Sequence, residues 1–406
     1  MTKKINNIIL FNTIKNDEDL INLSKKIENN QLDISNIIPS FFSKLISFAQ
    51  TNKLEGNIYQ LYLAYKLICD ENSFTLACEN NEIKEDESIN EFAKNDIEIV
   101  YLLSKANISY YLLGNNILNY VNINVQNSEI LNKLKLIDFS TSANLLASLK
   151  EFYKKYGIGK FAFFNAFNLD TDGKINPVTN IKVTMDTLIG YKDQKEQIIN
   201  NTISFINNKP ANNVLLYGEA GTGKSTCIKA IANMFSKDGV RLIEIYKHQF
   251  RFLPKLIQEL KNRNYKFIIY MDDLSFEEFE TDYKYLKAVI EGGVEERPKN
   301  CLIYASSNRR HLIKETWKDR ELDNLEIHRT DTMQEKISLA SRFGIMINFS
   351  KPTKDEYNNI VIELAKKEGI DIEEKELLRL SNIWELSHGG VTGRVARQFI
   401  DFLLGK

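Results

Sequence analysis

The chain has 406 residues, with 53 basic against 54 acidic side chains and a formal net charge of -1. That length allows about two or three domains. The balanced charge argues against a domain coated in positive charge for nucleic acid, leaving room only for a local basic patch. No apolar run reaches the roughly 18 residues of a membrane span, and the N-terminus lacks a signal-peptide pattern, so no membrane partner and a cytoplasmic location are expected. Cys69, Cys78, Cys227 and Cys301 are scattered and suit reduced thiols, matching no zinc spacing. The four histidines include no helical i,i+4 pair, so no histidine metal cluster is expected.

Residues 1–180 are rich in Asn, Ile, Leu, Lys and Tyr. The segments IPSFFSKLISFAQ, GNIYQLYLAYKLICD and ANLLASLKEFYKKYG space their apolar residues as helices do, which predicts a mostly helical N-terminal domain. The acidic stretch from Glu79 to Glu98 reads as a solvated loop or helix face rather than a surface for a basic partner. In NLDTDGKI, Asn168, Asp170, Asp172 and Gly173 occupy the early positions of a calcium loop. Thr179 stands where that loop needs a bidentate Glu, so an Asp-Gly turn is expected instead. Residues 171–183, with Gly173, Pro177 and Asn180, read as a linker.

From residue 184 the pattern alternates. Strand-like runs at 212–217, 241–246, 266–271, 301–306 and 344–349 are separated by helix-length segments at 224–235, 250–262, 279–291 and 332–341. Near-continuous apolar strands between helices predict an α/β fold, a five-stranded parallel sheet covered on both faces, over residues 184–350. After residue 350 the strands stop, and helical segments at 353–368, 372–387 and 392–404 make 351–406 an all-helical C-terminal domain.

The chemistry concentrates in this second half. The run Gly218, Glu219, Ala220, Gly221, Thr222, Gly223, Lys224, Ser225, followed by Thr226, reads GxxxxGKS after the apolar stretch VLLY. Such a loop presents successive backbone N–H groups to a phosphate chain, brings Lys224 to the β and γ phosphates and offers Ser225 to Mg²⁺. A nucleoside triphosphate, ATP with Mg²⁺, is the expected ligand. The strand FIIYM ends in two carboxylates. Asp272 can hold Mg²⁺ opposite Ser225, and Asp273 can polarise an attacking water, with Glu277 or Glu278 as nearby contributors. A strand ending in two acids can also be a plain turn signal. Asn308 ends the strand CLIYASS at the edge where parallel sheets bind ligands, and its amide can hold the attacking water or cap a turn. Arg309, Arg310 and His311 form a basic cluster that suits either a partner or ordinary surface charge. Arg342 stands just before the last strand, remote from its own phosphate loop. It can stabilise charge on the γ phosphate in a neighbouring subunit, or make an internal salt bridge. Arg394, in the first turn of the last helix, can reach the phosphates in cis, with Arg397 the runner-up. Ile189 and Tyr191 can flank the base, or serve as core residues where the α/β domain begins.

Together these residues resemble the AAA+ superfamily over about 184–406. GEAGTGKS is like its Walker A, FIIYMDD its Walker B, Asn308 its sensor 1, Arg342 its arginine finger and Arg394 its sensor 2. The strings DDLSFE and SNRRHLI, with LIGYKDQKEQIINNT and TGRVARQFI, are similar to a bacterial family of AAA+ ATPases known only as a domain of unknown function. That family carries a variable helical N-terminal region. Its pattern often has Asp where this chain has Ser341 and Arg where it has Ala220, departures that remove no catalytic group. The resemblance implies an AAA+ P-loop core with a C-terminal helical lid, ATP binding and ATP hydrolysis.

Three functions follow as expectations. The first is an Mg²⁺-dependent ATPase, a homo-oligomer with sites between subunits, that remodels or loads a macromolecular, protein client. The second is a nucleotide-gated adaptor with little turnover, kept open by Asp273 where Glu is commoner. The third is a DNA-associated helper, disfavoured by the neutral charge. Phe276, Phe279, Tyr283 and Tyr285 suggest a pore loop, or a helix that packs two aromatics inward.

Overall fold

The computed structural model describes residues 5–28, 38–84, 87–105, 118–122, 128–178, 181–276, 283–291, 298–309, 312 and 339–405. Thr179, Glu277, Glu278, Phe279, Arg310, His311 and most of the expected helix at 332–341 lie outside them. The chain divides into two compact units, Met1–Phe163 and Phe164–Lys406.

The first unit is built from helices. Ile58–Ile68 is apolar on nearly every face and buries Ile58, Tyr59, Leu61, Tyr62, Leu63, Ala64, Leu67 and Ile68. An all-round apolar helix must be enclosed by others. Here Ile38–Asn52 and Ser88–Ser104 pack against it. Asn57, Asn72 and Thr141 start their helices by accepting free backbone N–H groups, and Asn72 forms a reciprocal capping box with Thr75.

The acidic stretch departs from the expected solvated surface at two positions. Glu79 is 1% exposed and accepts the Ile158 N–H at 2.9 Å. Asp96 is fully buried and accepts the N–H groups of Ile9 and Leu10. A buried carboxylate persists when backbone donors replace its water, and composition carries no sign of such long-range partners.

Asp17 is a third buried acid. It accepts from the Tyr62 hydroxyl at 2.5 Å and pairs with Lys66 at 2.9 Å and Lys44 at 3.1 Å. Burial works to raise its pKa, but Tyr62, Lys66 and Lys44 outweigh that and hold it at about 2, against an ordinary value of 3.8. A depressed carboxyl contributes stability that is whole above its unfolded pKa and is lost as pH falls through the folded one. Urea unfolding of this unit is therefore expected to weaken between about pH 4 and pH 2. In Asp17→Asn the loss over that window shrinks, and an unchanged pH profile would refute the assignment.

In the second unit the described residues form one seven-stranded sheet in the order β2-β1-β4-β5-β6-β3-β7. The strands are β1 (Ala166–Leu169), β2 (Ile175–Pro177), β3 (Val214–Gly218), β4 (Val240–Glu244), β5 (Lys266–Met271), β6 (Cys301–Ser307) and β7 (Ile345–Phe349). All neighbours are parallel except the β1–β2 hairpin. Five of these strands were expected. The hairpin adds two more at the β4 edge: β1 falls in the region expected to be helical, and β2 falls within the anticipated linker 171–183. Strands of four and three residues are too short to show a period.

Its turn is the one read from Asp170 to Gly173. The Asp170 carboxylate accepts the N–H groups of Asp172 and Lys174 at 2.9 and 2.8 Å, and Gly173 takes φ +77° against the ring of Phe252. No group of three or more potential metal ligands occurs among the described residues.

Burial explains the strand composition. Every residue of β6 is buried and only the first of β5 is not, whereas the edge strand β7 alternates. One face packs under helices Lys192–Ile206 and Lys224–Met234 through Val214, Leu216, Leu242, Ile268, Leu302 and Ile347. After β7 come helices Lys354–Lys367, Glu374–Ser387 and Gly393–Leu404, joined around Tyr357, Val361, Leu364, Phe399 and Ile400. Thr353 and Thr392 cap the first and last of them. Among the described residues no helix is long and apolar enough to cross a membrane.

Candidate functional site

Strand register brings the glycine-rich loop, Asp272, Asp273 and Asn308 to one edge. β6 lies between β3 and β5, with Tyr217 opposite Ser307 and Met271 opposite Ala305. Asn308 therefore leaves the sheet beside the phosphate loop, and Asp272 leaves it beside Ser306. All three strands are parallel, so their C-terminal ends share this edge, where ligands of such sheets bind.

The loop itself needs its first glycine. Gly218 has φ +136°, and a Cβ there would meet the Phe349 carbonyl oxygen at 2.2 Å. The chain then turns through Gly221 and Gly223, at φ +79° and +93°, into the helix that starts at Lys224. Thr222 donates its hydroxyl to the Glu219 carbonyl at 2.9 Å, and the Glu219 carboxylate pairs with Lys351 at 3.0 Å.

Lys224 is 6% exposed and fully engaged. Its ammonium donates to the carbonyls of Gly218 and Glu219 at 2.8 and 2.7 Å and to Asn308 Oδ1 at 3.0 Å. Burial pushes its pKa below the usual range, against the pull of Asp273 and Asp272. The Asn308 amide nitrogen donates to Asp273 Oδ1 at 2.8 Å. One side chain thus joins the loop lysine to the second acid.

Asp272 gathers donors on one oxygen. Oδ1 accepts from Ser225 Oγ at 2.7 Å, Ser306 Oγ at 2.5 Å and the Asp273 N–H at 3.1 Å. Burial works to raise its pKa, but the hydrogen bonds from Ser306 and Ser225 outweigh it and hold it below the usual carboxylate range. Asp273 takes φ +47°. Asp and Asn enter this left-handed region more readily than other side chains, a local reason for Asp at this position.

A cavity of about 480 Å³ opens over the loop, within the size range of small-ligand sites. Ala220 to Thr226, Asp272, Asp273, Asn308, Ile189, Tyr191 and Arg394 line it. Arg394 arrives from the last helix, and its backbone N–H donates to the Gly221 carbonyl at 3.2 Å. Ile189 also packs against the C-terminal helices. Tyr191 stacks on Phe349 at 4.9 Å and donates its hydroxyl to the Ser350 carbonyl. Gly218 and Glu219 form the base of the loop rather than the cavity wall. Arg342 is not among the lining residues; it lies half-buried in the turn before β7.

Several lining residues carried no sequence signal as site residues. Thr187 and Leu188 come from the approach to helix Lys192–Ile206, Ser306 from β6, and Ile360 and Leu364 from one helix face. The i,i+4 spacing of the last two was visible, but it is also the spacing of a core helix. Arg397 lines the cavity too, paired with Glu368 at 2.6 Å and Asp401 at 2.8 Å. Of the aromatics after β5, Phe276 and Tyr283 are buried and in edge contact at 6.2 Å, while Tyr285 is 44% exposed. Arg309 is exposed, and its N–H donates to Ser307 Oγ.

The donor set suits a triphosphate and a hard cation. The oxygens of Ser225 and Asp272 are of the kind Mg²⁺ takes, and helix-start N–H groups beside a lysine suit phosphate.

A family model described as "Protein of unknown function (DUF815)" matches residues 162–406, more than half of the chain. The chain belongs to this family. The DUF815 match begins before β1, so it covers the edge hairpin as well as the glycine-rich loop. No curated protein matches the chain. Among solved structures, a mutant RuvB of Thermotoga maritima aligns with 16% identity and a TM-score of 0.38, over 54% of this chain and 64% of that one. A Thermotoga maritima RuvB described as a Holliday junction branch migration motor aligns with 14% identity and a TM-score of 0.33, over 55% of this chain and 72% of that one. The chain thus spans less than two thirds of the first of these.

Proposed function

We propose that the chain is a Mg²⁺-dependent ATPase whose turnover drives a change in a macromolecular client. The observation that carries this reading is the relay from Lys224 through Asn308 to Asp273, set beside the Ser225–Asp272 contact in one cavity. These groups match the parts that phosphoryl transfer to water requires. In this reading the loop N–H groups and Lys224 hold the β and γ phosphates, and Ser225 and Asp272 hold the cation. Bound Mg²⁺ would neutralise phosphate charge. Asp273 accepts a proton from the attacking water, and Asn308 orients that water. Ile189, Ile360 and Leu364 offer apolar cover to the base, and Arg394 contacts the phosphates from the C-terminal helices, which act as a lid. Arg342, outside the cavity, serves a neighbouring subunit of a homo-oligomer. The helical first unit, which precedes the ATPase module, is the natural place for client recognition.

A specific contact also favours a second reading, an adaptor that binds ATP with little turnover. Asp273 is already engaged by Asn308, so the base must be released before it can act.

Steady-state hydrolysis measured against protein concentration separates the two. The ATPase reading expects a rate per chain that rises with concentration. It also expects activity when inactive Arg342→Ala and Lys224→Ala chains are mixed, because each supplies what the other lacks. Tight ATP binding without hydrolysis at any concentration would leave only the adaptor. Stimulation by DNA would point instead to a nucleic-acid helper.

A further inference from the structure

Ser306 stands in β6, outside the loop, outside the acidic pair and ahead of Asn308, which follows the strand. It is 2% exposed. Its hydroxyl makes two bonds of opposite sense: it donates to Asp272 Oδ1 at 2.5 Å and accepts the Asp273 N–H at 3.0 Å. A hydroxyl supplies both a donor and an acceptor, which neither Ala nor a carboxylate offers.

Two features make this more than a satisfied core polar group. Asp272 Oδ1 also accepts from Ser225, so hydroxyls from the loop helix and from β6 converge on one oxygen. Asp273 holds the left-handed φ of +47°, a conformation that needs support from its surroundings. The N–H that Ser306 accepts belongs to that residue. One side chain therefore bears on the orientation of the carboxylate meant for the cation and on the backbone that aims the carboxylate meant for water. The next residue, Ser307, serves a different purpose: its hydroxyl accepts the Arg309 N–H, and successive side chains on a strand face opposite ways.

We propose that Ser306 is a positioning residue that fixes Asp272 and Asp273 together, so that cation affinity and water activation depend on one buried hydroxyl. The proposal rests on the ATP- and cation-binding part of the ATPase reading for its binding half and on the hydrolysis part for its catalytic half.

The test uses the full chain with three substitutions. In Ser306→Ala, the Mg²⁺ concentration that half-saturates binding of a fluorescent ATP analogue is expected to rise about tenfold. The kcat for ATP should fall about 10- to 100-fold, in line with the loss of groups that orient metal ligands, while KM at saturating Mg²⁺ stays within about twofold. Ser306→Thr keeps the hydroxyl and restores both quantities. Ser307→Ala, which removes a buried hydroxyl from the same strand, leaves both near wild type. Thermal melting of all three provides the structural baseline. If Ser306→Ala changes neither Mg²⁺ half-saturation nor kcat, or if Ser307→Ala matches it, the proposal is overturned. Should Ser306→Ala not fold, Ser306→Thr carries the test: wild-type Mg²⁺ dependence supports the proposal, and a tenfold shift despite the retained hydroxyl overturns it. If wild type binds the analogue without hydrolysing ATP, the ATPase reading fails, and the Mg²⁺ titration still decides the role of Ser306.

Discussion

Lys224→Ala is expected to reduce ATP affinity by at least about 100-fold, equivalent to about 2.7 kcal/mol, and to abolish measurable hydrolysis. The ammonium joins three acceptors, the carbonyls of Gly218 and Glu219 and the amide oxygen of Asn308. Its removal takes away the positive charge at the phosphate site and the tie between the loop and β6. A hydrogen bond from a charged group is worth about 1.5–3 kcal/mol, so loss of the ammonium's contacts to the phosphates is enough for an effect of that size. Lys224→Arg should not rescue. A planar guanidinium on a longer fork cannot replace a compact ammonium directed at three oxygens. Isothermal titration with ATP and Mg²⁺ reads the effect, and a melting temperature near wild type shows that the variant is folded. Wild-type ATP affinity in Lys224→Ala would remove the phosphate-loop assignment.

Asp273→Asn is expected to lower kcat about 100- to 1,000-fold while ATP affinity stays within a few fold, the scale of a lost general base. The substitution is well matched to its surroundings. Asn tolerates the left-handed φ of +47° as Asp does, and its amide oxygen can still accept from the Asn308 nitrogen. Its backbone N–H bonds to Asp272 and Ser306 are unaffected. Only the basic carboxylate is removed. A single-turnover assay in excess enzyme isolates the chemical step, and an unchanged rate there would move the base to another acid.

The two substitutions illustrate what could be read from residues in order. The GxxxxGKS loop is contiguous, and its glycines, lysine and serine carry their geometry in adjacent positions. Asp272 and Asn308 could be placed at one edge for a related reason: each follows an apolar run that reads as a buried strand, and parallel strands end at a common edge. The family match over residues 162–406 spans the stretch that holds the strings singled out there.

Other features escaped. The β1–β2 hairpin was missed because its strands are short, and Gly173 and Pro177 made its second half resemble a linker. Glu79 and Asp96 looked solvated because their backbone partners, Ile158, Ile9 and Leu10, lie far away in the chain. Ser306 looked like any small residue of a buried strand until the β5–β6 register set it beside Asp272.

The amino-acid sequence by itself determined the alternation of strands and helices, the glycine-rich GxxxxGKS loop and the residue types that would suit a triphosphate and its cation. Those properties depend on neighbours a few positions apart, through helix and strand periods and the φ freedom of glycine. Only the tertiary structure decided which distant groups meet: Lys224 with Asn308, Asn308 with Asp273, Ser306 with both acids, and Arg394 with Gly221. Hydrogen bonds act over about 3 Å, and such proximity between residues far apart in the chain is set by sheet order and register, to which no local pattern is tied.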